Sequence, residues 1–187
     1  MPRNQITHRS RDLESTSARR VGKKTPKNAE LILADLSSSM YGQPYQILSQ
    51  ALKPLAQSAH VIAFNDSIFE VNADNLPRPD GTTALHLALD KAATLEPLHV
   101  LVISDGAPNS QTSAFESAKV LAAECIIDVL YVGSSNDERC IDFMKKLAEI
   151  GRGRYQNMDL SGATALMLGS KVNDMLALPS PKGSIEL

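Results

Sequence analysis

Apolar residues along the chain follow two periods in turn. Near-continuous apolar runs, the pattern of strands covered on both faces, predict β-strands over Glu30–Ala34, Ala59–Phe64, Leu98–Ser104 and Ile126–Val132, with short pieces near Ser67–Val71 and Arg154–Gln156. Between the runs the spacing changes to three and four. Ile47, Leu48, Ala51, Leu52 and Leu55 fall on one helical face, as do Leu85, Ala88, Leu89 and Ala92. Phe115, Ala118, Leu121 and Ala122 repeat the pattern, then Ile141, Met144, Leu147 and Ala148. A last helix is predicted over Ala163–Leu176, ahead of Pro179 and Pro181, which cannot continue it. Buried strands alternating with amphipathic helices predict a three-layer α/β/α sandwich with a mainly parallel central sheet. No internal repeat is visible.

Three polar segments interrupt this pattern where strands end or helices begin. Asp35-Leu36-Ser37-Ser38-Ser39 follows the first apolar run, Gly81-Thr82-Thr83-Ala84-Leu85 opens an amphipathic stretch, and Ile103-Ser104-Asp105-Gly106 closes another run. In open α/β sheets ligands bind beyond the carboxyl ends of the strands, near a topological switch point. A hard cation such as Mg²⁺ takes about six oxygens at roughly 2.0–2.1 Å, and Asp35, Ser37 and Ser39 supply three from one turn. Neutral hydroxyls leave such an ion electrophilic. Ser and Asp also suit turns and helix caps, and Asp35 with Asp105 can be read as a general acid and base pair. A metal accounts better for the hydroxyls between them. Thr83 opens a helix, so backbone N–H groups and the positive end of a helix dipole face the same crevice.

Those three segments resemble the metal-ion-dependent adhesion site of von Willebrand factor A domains, written Asp-x-Ser-x-Ser, then Thr, then Asp. The resemblance covers about residues 29–176. It implies that Asp35, Ser37 and Ser39 form the first segment, that Thr83 is the threonine and that Asp105 is the late aspartate. Many members have Gly-Gly-Thr where this chain has Gly-Thr-Thr, and the spacing to Leu85 favours Thr83 over Thr82. The resemblance further implies a Rossmann-like fold and a bound Mg²⁺, with Mn²⁺ or Ca²⁺ as substitutes. It implies a non-catalytic adaptor that takes an acidic side chain of a partner protein into the metal's shell. Family members of this size serve with AAA-type ATPases, metal-insertion machines, stress-response systems or kinase/phosphatase systems, and no residue here picks one out. Met40, Tyr41, Thr82 and His86 are the candidate rim of the contact surface; Met40 and Tyr41 can equally pack under the loop, and His86 reads more readily as an exposed helical residue than as a ligand.

Other chemistries find no pattern. The serine-rich loop is not a Gly-x-Ser-x-Gly elbow, no Gly-rich phosphate loop ends in Lys, and His8, His60 and His99 lack zinc-ligand spacing. With 187 residues, 43% hydrophobic but 4% aromatic, the chain suits one aliphatic core. Cys125 and Cys140 are too few for a disulfide framework, which points to ordinary thiols in a reducing cytoplasmic setting. No run reaches the ~20 apolar residues of a membrane span, and the polar, basic start is no signal peptide.

Charge divides the chain: residues 1–28 hold eight Lys or Arg against Asp12 and Glu14, a net of +6, which leaves −8 for the rest of a chain whose net is −2. The first 28 residues have almost no large apolar side chains, so they are expected to be disordered when free. The organisation expected is therefore a basic tail over 1–28, a domain over 29–178 and a short tail over 179–187. Arg9, Arg11, Arg19, Arg20, Lys23 and Lys24 can lie on the acidic domain or meet an acidic partner or nucleic acid. The arm has no aromatic to stack on bases, which disfavours nucleic acid. An accessory nucleic-acid binder and a metal-dependent hydrolase are the alternatives to the adaptor.

Overall fold

A computed structural model describes residues 30–177. The basic residues Arg9, Arg11, Arg19, Arg20, Lys23 and Lys24, the expected disorder of residues 1–28 and the tail over 179–187 lie outside the described residues.

Six strands and five α-helices follow one another as β1 (Glu30–Asp35), α1 (Gln43–Leu52), β2 (Ala59–Phe64), β3 (Ile68–Val71), α2 (Leu85–Ala93), β4 (His99–Ser104), α3 (Gln111–Leu121), β5 (Ile126–Tyr131), α4 (Glu138–Ile150), β6 (Arg152–Asn157) and α5 (Ala165–Leu176). The strands form one sheet in the order β3-β2-β1-β4-β5-β6. Every pairing is parallel except that of β3 with β2. The order reverses between β1 and β4, which pair from Leu31 with Val100 to Ala34 with Ile103. The expected three-layer sandwich is the fold observed.

Successive strand residues point to opposite faces, and the two halves of each apolar run fill two separate cores. Leu31, Leu33, Val100 and Val102 pack with Leu85 and Leu89 of α2, Ala118 of α3 and Met144 and Leu147 of α4. Ile32, Ala34, Leu101 and Ile103 pack on the other side with Leu48 and Leu52 of α1 and Leu168, Val172 and Met175 of α5. This double burial is why the central strands read as unbroken apolar runs. Ser110, Asp137 and Thr164 cap α3, α4 and α5, each accepting from a backbone N–H three residues on. The Thr164 cap makes the last helix start at Ala165, where its apolar spacing alone suggests Ala163.

The polar strand β6 is longer than its sequence predicts and pairs with β5 through an irregularity between Ile127 and Val129. Its anchor is electrostatic. Asp128 of β5 is buried, and its carboxylate accepts from the Arg154 backbone N–H at 2.6 Å and from Arg154 Nε at 2.9 Å and Nη2 at 2.5 Å. His99 Nε2 lies 3.1 Å from the same carboxylate. The Arg154 guanidinium also donates to the Asp174 and Met175 carbonyls at the end of α5. Burial works to raise the Asp128 pKa, but the hydrogen bonds from His99 and Arg154 outweigh it and hold the carboxyl below its ordinary range. Among the described residues no helix is long and apolar enough to cross a membrane.

Candidate functional site

The polar segments converge at the carboxyl ends of β1 and β4, where the strand order reverses. Asp35 is the last residue of β1, and the chain turns at once because Ser37 donates its backbone N–H to Asp35 Oδ1 at 2.8 Å. Ser38–Met40 then form a 3₁₀ turn. The Ser37 and Ser39 hydroxyls lie 3.0 Å apart, and Ser39 Oγ donates to Asp105 Oδ1 at 2.8 Å across the switch point. Asp35, Ser37, Ser39 and Asp105 therefore form one cluster.

Ser104, a residue the motif does not mark, joins the two strand ends from below. Its fully buried Oγ donates to Asp35 Oδ2 at 2.5 Å and accepts from the Gly106 N–H at 3.3 Å. Below the Asp105 loop, Gly133 leaves no room for a side chain, since a Cβ there would stand 2.3 Å from the Asp105 carbonyl oxygen.

The third segment is clamped from both sides. Ser38 donates its N–H and Oγ to the Gly81 carbonyl at 3.1 and 2.9 Å. Gly81 adopts φ +68, a left-handed conformation that favours glycine. On the other side Asn109 accepts from the Thr83 N–H at 3.3 Å and donates its own N–H to the Thr83 carbonyl at 2.9 Å. Asn109 Nδ2 also donates to Thr82 Oγ1 at 2.7 Å. Thr82 is exposed with its hydroxyl engaged, whereas Thr83 is buried beneath the loops.

The rim candidates separate. Tyr41 is 75% exposed, but Met40 is fully buried and packs in the core with α1, so it offers nothing to a partner. The 3₁₀ turn causes this, because it rotates one of the two neighbours inward and the other outward. His86 is half-buried, with a buried Nδ1 that has no hydrogen-bond partner among the described residues. Cys125 and Cys140 are both free. The Cys140 sulfur accepts from the Ala107 N–H at 3.2 Å and so supports the Asp105 loop, a role its sequence position does not reveal.

Burial dominates the electrostatics of the cluster. Burial pushes the Asp35 carboxyl from 3.8 up to about 6; hydrogen bonds from Ser104 and Ser37 work against this, and the nearby Asp105 adds to it. Burial likewise raises Asp105, opposed by the Ser39 hydrogen bond. Two desolvated carboxylates with hydroxyls beside them form an all-oxygen donor set, which fits a hard divalent cation. Among the described residues no group of three or more His, Cys, Asp or Glu is placed to hold a metal ion.

The profile of the von Willebrand factor type A domain matches residues 64–157. No curated protein matches the chain by sequence. Among solved structures, an aerotolerance-related membrane protein from Bacteroides fragilis, carrying multiple mutations to serines, superposes with a TM-score of 0.54 at 17% identity, over 80% of this chain and 98% of that one. The SpRpn10 VWA domain superposes with a TM-score of 0.56 at 10% identity, over 82% of this chain and 95% of that one. At such identities the likeness concerns the fold alone, while the profile spans half of the sequence. The chain belongs to the von Willebrand factor type A domain family.

Proposed function

We propose that this protein is a non-catalytic interaction module that holds Mg²⁺ between Asp35, Ser37, Ser39, Thr83 and Asp105 and engages an acidic side chain of a partner protein there. The observation that carries this reading is the oxygen-only cluster at the switch point, where Ser39 bridges to Asp105 beside a buried Asp35. When bound, the ion supplies a coordinatively open positive point at the protein surface. The chain's own residues do the rest. Ser104 fixes the Asp35 carboxylate, Ser38 and Asn109 hold the Gly81–Thr83 segment, and Thr83 is the buried one of the two threonines. An acid–base pair is the weaker reading, because it gives no role to the Ser37 and Ser39 hydroxyls that stand between the two carboxylates.

The partner is read as a protein, in the setting of an intracellular complex with an AAA-type ATPase or a kinase/phosphatase system. Affinity capture from source-cell lysate with wild type, Asp35→Ala and Thr83→Ala, each with Mg²⁺ or EDTA, tests this. A partner retained by wild type in Mg²⁺ and lost in EDTA and in both variants is the expected result. A partner held equally in all arms moves the function to another face or to the basic segment.

A further inference from the structure

Beside the cluster lies a groove of about 280 Å³ that none of the candidate ligands lines. It is lined by Tyr41, two residues beyond Ser39, by Tyr45 and Gln46 of α1, and by Arg78 and Pro79, just ahead of Gly81. Its lining thus comes from chain next to the segments that form the cluster. It is also fixed in place. Tyr45 Oη donates to the Leu76 carbonyl at 2.8 Å, the Asp80 N–H to the Leu36 carbonyl at 2.9 Å, and Ser38 to Gly81 as described.

Arg78 is exposed and forms no ion pair or hydrogen bond among the described residues. Other cations of the domain are committed, with Lys91 on Glu70, Lys119 on Glu116 and Arg154 on Asp128. Residues 29–187 carry a net charge of −8, yet the Arg78 guanidinium pairs with no anion among the described residues. Its planar fork suits a carboxylate, which it binds through two parallel hydrogen bonds. A tyrosine ring adds contact area at small entropic cost.

We propose that the partner segment recognised here is diacidic, with one carboxylate directed to the metal cluster and a second, a few residues away, paired with Arg78 in the Tyr41 groove. This rests on the metal-site reading above. Two weak contacts in one segment act together, because the first raises the effective concentration of the second.

The test titrates the full chain in Mg²⁺ with dye-labelled, unstructured Gly/Ser peptides carrying one Glu, or two Glu separated by one to three residues. Anisotropy gives the affinity ratio of each two-acid peptide to the one-acid peptide. The best two-acid peptide is expected to bind at least about tenfold more tightly, with Arg78→Gln and Tyr41→Ala each bringing the ratio towards one. Arg78→Glu should restore the advantage for a peptide whose second Glu is replaced by Lys. Equal affinities in wild type, or a two-acid advantage that survives Arg78→Gln, overturn the proposal. Loss of one-acid binding in EDTA without any two-acid advantage leaves the metal reading standing and rejects this one. Binding that ignores EDTA and Asp35→Ala, or no binding by any peptide, rejects both.

Discussion

Asn109 shows how much a single side chain outside the motif decides. Its amide holds the Thr83 N–H and the Thr82 hydroxyl at once, so it sorts two adjacent threonines into one inward and one outward position. Each such hydrogen bond contributes about 0.5–1.5 kcal/mol net. Because Asn109 is exposed, Asn109→Ala should leave the melting temperature within a few degrees of wild type while weakening Mg²⁺ binding about tenfold, as read by calorimetric titration. Unchanged Mg²⁺ affinity would remove Asn109 from the site. The candidate ligands were legible as residues, since strand ends and turn chemistry mark Asp35, Ser37, Ser39 and Asp105. Ser104 and Asn109 were not, because their bonds span 69 and 26 positions and leave no local spacing to read. Met40 was ambiguous for a related reason, as a two-residue step at the end of a 3₁₀ turn sends one neighbour into the core.

Among the elements, β6 and α5 depend on one buried carboxylate. Asp128 is 1% exposed and sits between His99 on β4 and Arg154 on β6, and Arg154 reaches on to the last turn of α5. Arg154→Leu leaves that charge without its main partner, a change that costs on the order of 3 kcal/mol. We expect a clear fall in melting temperature and early loss of hydrogen-exchange protection in β6 and α5. A stability change below about 1 kcal/mol would mean that the hub is not what anchors them. The same carboxyl has an acid limb of known sign. Its folded pKa lies below the unfolded value, so its contribution is present above that unfolded value, near 4, and is lost as pH falls through the folded pKa. Arg154→Leu should therefore flatten the acid limb as well. The sequence marked β6 only as a short piece, because Arg152–Asn157 contains no apolar run and its pairing is secured by charge and backbone bonds.

Over the whole molecule, the cluster opposes the fold that builds it. The folded Asp35 carboxyl titrates at about 6, against 3.8 for an ordinary aspartate, so between those values the native state holds more protons than the unfolded chain. Stability of the metal-free protein should therefore fall as pH rises from about 4 to about 6, and Asp35→Asn should remove that slope. Mg²⁺ at a hundredfold excess over its Kd should return about 2.7 kcal/mol above pH 6, visible as a rise in melting temperature that is absent at pH 4. A flat profile, or a Mg²⁺ effect independent of pH, would contradict the assignment. The sequence by itself determined the architecture, because strands buried on both faces and helices buried on one leave different periods in the order of apolar residues. It also determined which oxygens stand at the strand ends. Tertiary structure alone decided which of them meet, which threonine is buried, and that Arg78, unpaired among the described residues, lines one groove with Tyr41, because those outcomes depend on loops from distant parts of the chain packing against one another.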